Sequence, residues 1–261
     1  MKIVVCIKQV PNSSEAKIDP ATGTLNRAGL PSIMNPDDKG GLEFALQLKE
    51  KYGAHVTVIT MGLPQAEAIL REAYAMGVDR AILLTDRKLG GADTLATSNA
   101  IAGALRTMEY DIVITGRQAI DGDTAQVGPQ IAEHLDIPQV SYLAGLDYCE
   151  ECKTFKCTKE TEDGYEILEM QAPCLVTVLA SAVQPRYMSV NGIVTAFEKE
   201  VEVWGADRIN VPEECIGKAG SPTSVFKAFP KQLKPAGETF EVTPEEAVEL
   251  IINKLKEKHI I

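Results

Sequence analysis

"DIVITGRQAIDGDTAQVGPQIAEHL", residues 111–135, decides the fold. A β-branched apolar run ends at Gly116, a polar loop follows, and Ile131 and Leu135 then recur at helical spacing. A strand turning directly into a helix is the repeating unit of α/β proteins, and such a turn gathers backbone N–H groups suited to phosphate oxygens. This turn nevertheless carries two carboxylates, Asp121 and Asp123, which repel anions. What the loop holds is therefore the question.

Outward from that unit the same rhythm repeats. Residues 2–8, 55–61, 80–85 and 111–116 are almost continuously apolar, as expected of strands buried on both faces. Helical patterns lie at about 37–52, 64–76, 94–108 and 124–135. The alternation predicts an α/β fold: a doubly wound, mostly parallel sheet that binds ligands beyond the carboxyl ends of its strands. Residues 15–29 interrupt it as an inserted hairpin around Pro-Ala-Thr-Gly. From 140 to 180 the pattern changes to strands of antiparallel type, "VSYLAGLDY", "KTFKCTKETEDGYEILEM" and "CLVTVLA", the middle pair turning at "EDG". Residues 211–242, rich in Pro, Gly and Lys, suggest an extended arm, and 243–258 a helix capped by Thr243, Pro244 and Glu246. The expected division is a nucleotide- or flavin-binding α/β domain over 1–210 and an arm with its helix over 211–261, the latter packing on a partner subunit.

Composition narrows the function. A net charge of −11 and only 5% aromatic residues argue against nucleic acid, and no apolar run is long enough to insert into a membrane. The N-terminus does not resemble a signal peptide, so a soluble cytoplasmic protein is expected. Six cysteines do not make a disulfide framework; Cys6 and Cys174 sit in apolar runs. "CEECKTFKC" (149–157) has a metal-like first spacing but no nearby histidine to complete a set, so no metal is expected. His55, His134 and His259 are scattered, and no triad or carboxylate pair is present, so no catalytic residue is assigned.

Four strand ends carry unusual residues that a doubly wound sheet brings to one rim. They are Lys8 after the first strand, "MNPDD" (34–38) before the first helix, Met61-Gly62, and the 116–129 loop. In that loop Gly116 permits close backbone approach, and the N–H groups of Thr124, Ala125, Gln126 and Val127 are donors of a helix start. Asp123 is placed to cap the helix, as Asn35 is to cap the first one, and Asp121 can accept from a sugar or from its own loop. A plain capped turn has the same spacing, and neither G-x-G-x-x-G nor a Walker loop is present.

"VVCIKQVP", "IMNPDD", "YAMGVDRAIL", "GRQAIDGDTAQVGP" and "QPRYMSVNGI" follow in that order. Together they closely resemble the beta subunit of electron-transfer flavoproteins, over essentially the full length. The resemblance implies a flavodoxin-like, adenine-nucleotide-alpha-hydrolase-like domain paired with an FAD-carrying alpha subunit. It implies nucleotide contacts at Cys6, Lys8, Asn35, Pro36, Asp37, Asp38, Met61 and the loop Gly116, Arg117, Gln118, Ala119, Ile120, Asp121, Gly122, Asp123, Thr124, Ala125, Gln126 and Val127. Common members hold AMP there. "GGADTLATSNAIAGAL" (90–105), with Asp93, Thr94, Thr97 and Ser98, resembles instead the electron-bifurcating members of anaerobes, which hold a second FAD. A plain N-cap at Asp93 or Thr94 is the simpler alternative. The implied electron route runs from NADH to ferredoxin or flavodoxin and, through the alpha-subunit FAD, to an acyl-CoA dehydrogenase-type flavoenzyme. "QPRYMSVNGI" matches the family's partner-recognition loop, implying Arg186, Tyr187 and an apolar anchor at Val190. Thr195 stands where mitochondrial-type members carry a modified lysine. A non-bifurcating scaffold with AMP, or a nucleotide-binding sensor on the same fold, remain the alternatives.

Overall fold

The computed structural model describes residues 1–12, 31–224 and 237–261; the hairpin expected at 15–29 and part of the expected arm lie outside them. Strand β1 (Lys2–Cys6) is followed by β2 (Gln9–Pro11), which pairs antiparallel with β3 (Ser32–Met34), and by helix α1 (Pro36–Tyr52). Then come β4 (His55–Met61), α2 (Glu67–Met76), β5 (Arg80–Leu84), α3 (Thr94–Leu105), β6 (Ile112–Gly116) and α4 (Val127–Leu135). The chain continues through β7 (Gln139–Cys149), β8 (Thr154–Thr161), β9 (Gly164–Gln171), β10 (Cys174–Val178), α5 (Val190–Thr195), β11 (Val201–Trp204) and α6 (Pro244–Glu257).

Nine strands form one sheet in the order β11-β5-β4-β1-β6-β10-β7-β8-β9. Every pairing from β11 to β7 is parallel, with Val5 opposite Val58 on one side and Ile114 on the other. Only β7-β8-β9 is antiparallel. The expectation of an antiparallel strand at 174–180 is thus corrected: β10 inserts between β6 and β7, parallel to both. All five of its residues are buried, as a strand covered on both faces requires.

Alternation along each strand divides the core in two. Ile3, Val5, Val58, Ile114 and Val176 meet Leu42 and Leu46 of α1 and Ile69 and Ala73 of α2. Val4, Cys6, Val113 and Leu175 meet Ala100 and Ala104 of α3 and Ile131 of α4. This is a doubly wound sheet, and its carboxyl rim carries the strand ends singled out above. Near the middle of β7 the register shifts and Tyr142 takes φ 60°, a bulge at the start of the antiparallel extension.

Residues 211–221 follow α3: Ile216 is buried in the second core and Asn99 donates to the Cys215 carbonyl (3.2 Å). These belong to a compact unit over Met1–Phe226, and Lys227–Ile261 form a second. In that second unit α6 begins with the expected capping box, Thr243 and Glu246 satisfying each other's backbone N–H. Among the described residues no helix is long and apolar enough to cross a membrane.

Candidate functional site

A cavity of about 430 Å³ opens at the carboxyl rim, between the ends of β1, β4 and β6 and the starts of α3 and α4. Its size falls in the range of small-molecule and cofactor sites. Of the residues expected at a nucleotide site, Cys6, Lys8, Asp38, Met61, Asp93, Thr94, Thr97, Gly116, Arg117, Gln118, Ala119, Gly122 and Thr124 to Val127 line it. Asn35, Pro36, Asp37, Ile120, Asp121 and Asp123 do not.

What the "NPDD" residues do is visible in their hydrogen bonds. Pro36 takes the first turn of α1, where its missing N–H costs nothing. Asn35 does not cap α1 with its side chain. It is fully buried, gives its amide N–H to the Gln118 carbonyl (2.8 Å) and accepts from the Ile120 N–H (3.1 Å). Asp37 accepts from the N–H groups of Gln118 (3.2 Å) and Ala180 (3.0 Å), with Arg117 Nε 3.5 Å away. Asp38 accepts from Lys8 N–H (2.7 Å) and Gly116 N–H (3.0 Å), joining the ends of β1 and β6. Three side chains thus bracket the backbone of residues 116–120. Burial pushes Asp38 up to about 7 although Asn35 and the two amides pull the other way; Asp37 adds to the rise. Burial, with Asp38 alongside, also raises the Cys6 thiol, which makes it an inert apolar wall.

The bracket explains Gly116. A Cβ there would lie 2.2 Å from Asp38 Oδ1 and 2.7 Å from the Asp38 backbone N. The close approach that demands glycine is made to α1.

The two loop carboxylates face away from the anion problem. Asp121 binds the Lys8 ammonium through both oxygens (2.8 and 3.0 Å). Asp123 does not cap α4, correcting that expectation: it adopts φ 50° and accepts from Gln118 Nε2 (2.9 Å). The N-cap position falls to Gln126, which makes no side-chain cap. The N–H groups of Thr124, Ala125, Gln126 and Val127 consequently find no acceptor among the described residues. Ala125, with φ 53°, is held in the left-handed region, a strain of the kind that accumulates at ligand clamps. An uncapped helix start with free donors has the chemistry to suit an anion.

The opposite wall is α3. Asp93 caps it through the Ala96 N–H (3.0 Å) and also accepts from Thr223 N–H and Oγ1. The simple cap therefore exists, but the neighbouring hydroxyls go further. Thr94 donates to Gln126 Oε1 (2.9 Å), tying α3 to the 116–127 loop, and Thr97 lines the cavity. Ser98 is turned inward, donating to the Leu95 carbonyl and paired with His134 Nε2. Sequence reasoning missed Ile7, Leu89, Gly91, Ala92, Ile101, Thr115 and Gly128 in the lining. Ile101 follows Thr94 and Thr97 at helical spacing, a signal that was present; Leu89 comes from a separate turn with no local mark.

Apart from the cavity, Tyr187 and Val190 stand 94% and 82% exposed, with Val194 and Phe197 beside them. Arg186 is committed internally, bidentate to Glu43 and also paired with Glu50, which fastens the exposed segment to α1. Among the described residues no group of three or more His, Cys, Asp or Glu could hold a metal.

Residues 22–209 match the model of the electron transfer flavoprotein domain. The chain is 56% identical over 261 residues to the electron transfer flavoprotein subunit beta of Clostridium acetobutylicum, covering all of both chains. It is 49% identical to the caffeyl-CoA reductase-Etf complex subunit CarD of Acetobacterium woodii, again over the whole of both. It is 45% identical to the acryloyl-CoA reductase electron transfer subunit gamma of Anaerotignum propionicum, likewise over the full length of each. With the parallel sheet, the bracketed loop and these relatives in agreement, the chain belongs to the electron transfer flavoprotein family, as a member of its beta-subunit branch.

Proposed function

We propose that this chain is the FAD-holding beta subunit of a heterodimeric, electron-bifurcating electron transfer flavoprotein in the cytoplasm. The observation that carries the proposal is one cavity shared by the uncapped start of α4 and the hydroxyl-bearing first turns of α3. The donors fit the group: four unpaired N–H groups at Thr124 to Val127 suit a pyrophosphate. Thr94 and Thr97 would hydrogen-bond the polyol that continues from a pyrophosphate in FAD and is missing from AMP. Met61, Leu89, Ile101 and Val127 supply apolar wall for a ring system. A flavin bound there supplies hydride acceptance from NADH and one-electron delivery to ferredoxin or flavodoxin and to the alpha-subunit FAD. The protein's part is to bind, orient and shield.

Two relatives are named as parts of CoA-ester reductase assemblies, which supports an acyl-CoA dehydrogenase-type partner docking on the Tyr187–Val190 segment. The test is nucleotide extraction from the purified heterodimer. Two FAD per heterodimer are expected. One FAD and one AMP would sink the bifurcating role and leave a non-bifurcating scaffold. Thr94→Val combined with Thr97→Val should lower beta-site FAD occupancy and spare the alpha site, since each hydrogen bond to a charged group contributes about 1.5–3 kcal/mol and those to neutral groups less.

A further inference from the structure

We infer that Cys149 and Cys152 form a redox-active dithiol that exchanges with small disulfides at a second cavity, on the amino-terminal side of the sheet. Cys149 ends β7, residues 150–153 form the turn, and Thr154 begins β8 opposite Cys149. Residues three apart across a tight turn have Cα atoms within about 7 Å, inside the span a disulfide bridges. The Cys152 N–H already donates to Cys149 Sγ at 3.2 Å. That contact ties the two residues together across the turn, and the thiolate is the form that attacks a disulfide. Cys152 is exposed and Cys149 half-buried. Cys152 borders the neighbouring cavity and Cys149 does not, which makes Cys152 the thiol that meets a small disulfide and Cys149 the resolving thiol.

The cavity beside this turn, about 590 Å³, is lined by Cys152 with Tyr52, Asp111, Glu150 and Lys153. Its walls carry both signs of charge, which suits a zwitterionic disulfide such as that of a small peptide thiol. The frame is stiff: Tyr52 donates to the Tyr148 carbonyl (2.7 Å), and its ring meets that of Tyr148 edge-on. The two cysteines nearest in the sheet are closed off. Cys157 and Cys174 are buried, and burial pushes each thiol up to about 12.

The chemistry is ordinary exchange. The Cys152 thiolate attacks one sulfur of the small disulfide; the S–S bond breaks, a mixed disulfide forms, and one thiolate leaves and takes up a proton. Cys149 then loses its proton and attacks Cys152 Sγ, displacing the second thiolate, which takes up that proton. Two electrons pass from the protein dithiol to the small disulfide, giving a Cys149–Cys152 bond and two free thiols.

The test uses the full chain in its purified complex, exposed to excess glutathione disulfide, acid-quenched, alkylated and digested with trypsin. Cys149 and Cys152 share the peptide Gln118–Lys153, whereas Cys157 falls on another. The expected result is a peptide lighter by two hydrogens that resists alkylation until dithiothreitol restores both thiols. Cys149→Ser should trap glutathione on Cys152, and Cys152→Ser should take up glutathione on Cys149 at least about tenfold more slowly. A parental peptide that stays doubly alkylated would overturn the inference without involving any variant. Equal labelling of the two variants would overturn the assigned order of attack.

Discussion

Gly116→Ala tests whether the loop is set by the α1 bracket. The added methyl would sit 2.2 Å from Asp38 Oδ1, 2.7 Å from Asp37 Cβ and 2.7 Å from the Asp38 backbone N. A side-chain oxygen can swing away, but a backbone nitrogen in the first turn of a helix cannot. Overpacking of this kind costs about 1–3 kcal/mol. Displacing Asp38 also breaks its bond from the Gly116 N–H, worth about 1.5–3 kcal/mol for a charged acceptor. The expected loss is about 3–5 kcal/mol, read as a lower urea midpoint by circular dichroism, with parallel loss of beta-site nucleotide. Because part of the clash is with the Asp38 carboxylate, the same substitution in an Asp38→Ala background should cost at least about 1 kcal/mol less. A neutral Gly116→Ala, or strictly additive costs in the double variant, would refute the bracket.

Asp38 also predicts a pH dependence. Its folded value of about 7 lies above that of the unfolded chain, so the native state binds more protons between about pH 4 and 7, and stability falls as pH rises through that window. Asp38→Asn removes the titration; relative to it the parent should lose on the order of a few kcal/mol by pH 7, and parallel pH profiles would count against the assignment. Arg186→Met strands the buried Glu43 carboxylate, which burial alone would raise but which the Arg186 hydrogen bonds hold below its usual range. About 2–4 kcal/mol of stability should be lost, measurable by thermal melting, and an unchanged melt would show the pair to be inert. Val190→Asp should leave flavin content intact and slow reduction of the dehydrogenase partner, because an unpaired charge entering an apolar pocket costs several kcal/mol. Parental transfer rates would dismiss Val190 as the anchor.

The sequence exposed the fold through local marks: β-branched runs, helical spacing, Gly and Pro at element ends. Direction of pairing is not a local property, which is why 174–178 looked like a continuation of the antiparallel hairpin. Its unbroken apolar composition was nonetheless the sign of a strand covered on both faces. In the site, residues facing the cavity from α3 and α4 were legible because helix starts advertise themselves. The role of Asn35, expected as a cap, was misread for a different reason. A buried Asn or Asp at a helix start has the same appearance whether it caps its own helix or holds a loop 80 residues onward, and only the tertiary structure distinguishes them. Arg186, placed by the resemblance in the partner-recognition loop, gave no local sign of its pairing with Glu43 and Glu50, on an element far back in the chain.

Helix α1 has 17 residues and so runs about 25 Å. Its first turn grips the loop at the rim cavity, and Glu43 and Glu50, farther along the same rod, grip Arg186. A helix transmits position far better than a loop does, so the cavity and the exposed Tyr187–Val190 segment share a single frame of reference. Any rotation of the rod that opened the loop would swing the segment by a comparable angle. If a partner settles on that segment and a redox group sits in the cavity, the separation between them is then set by the length of one helix rather than by the sum of many soft contacts.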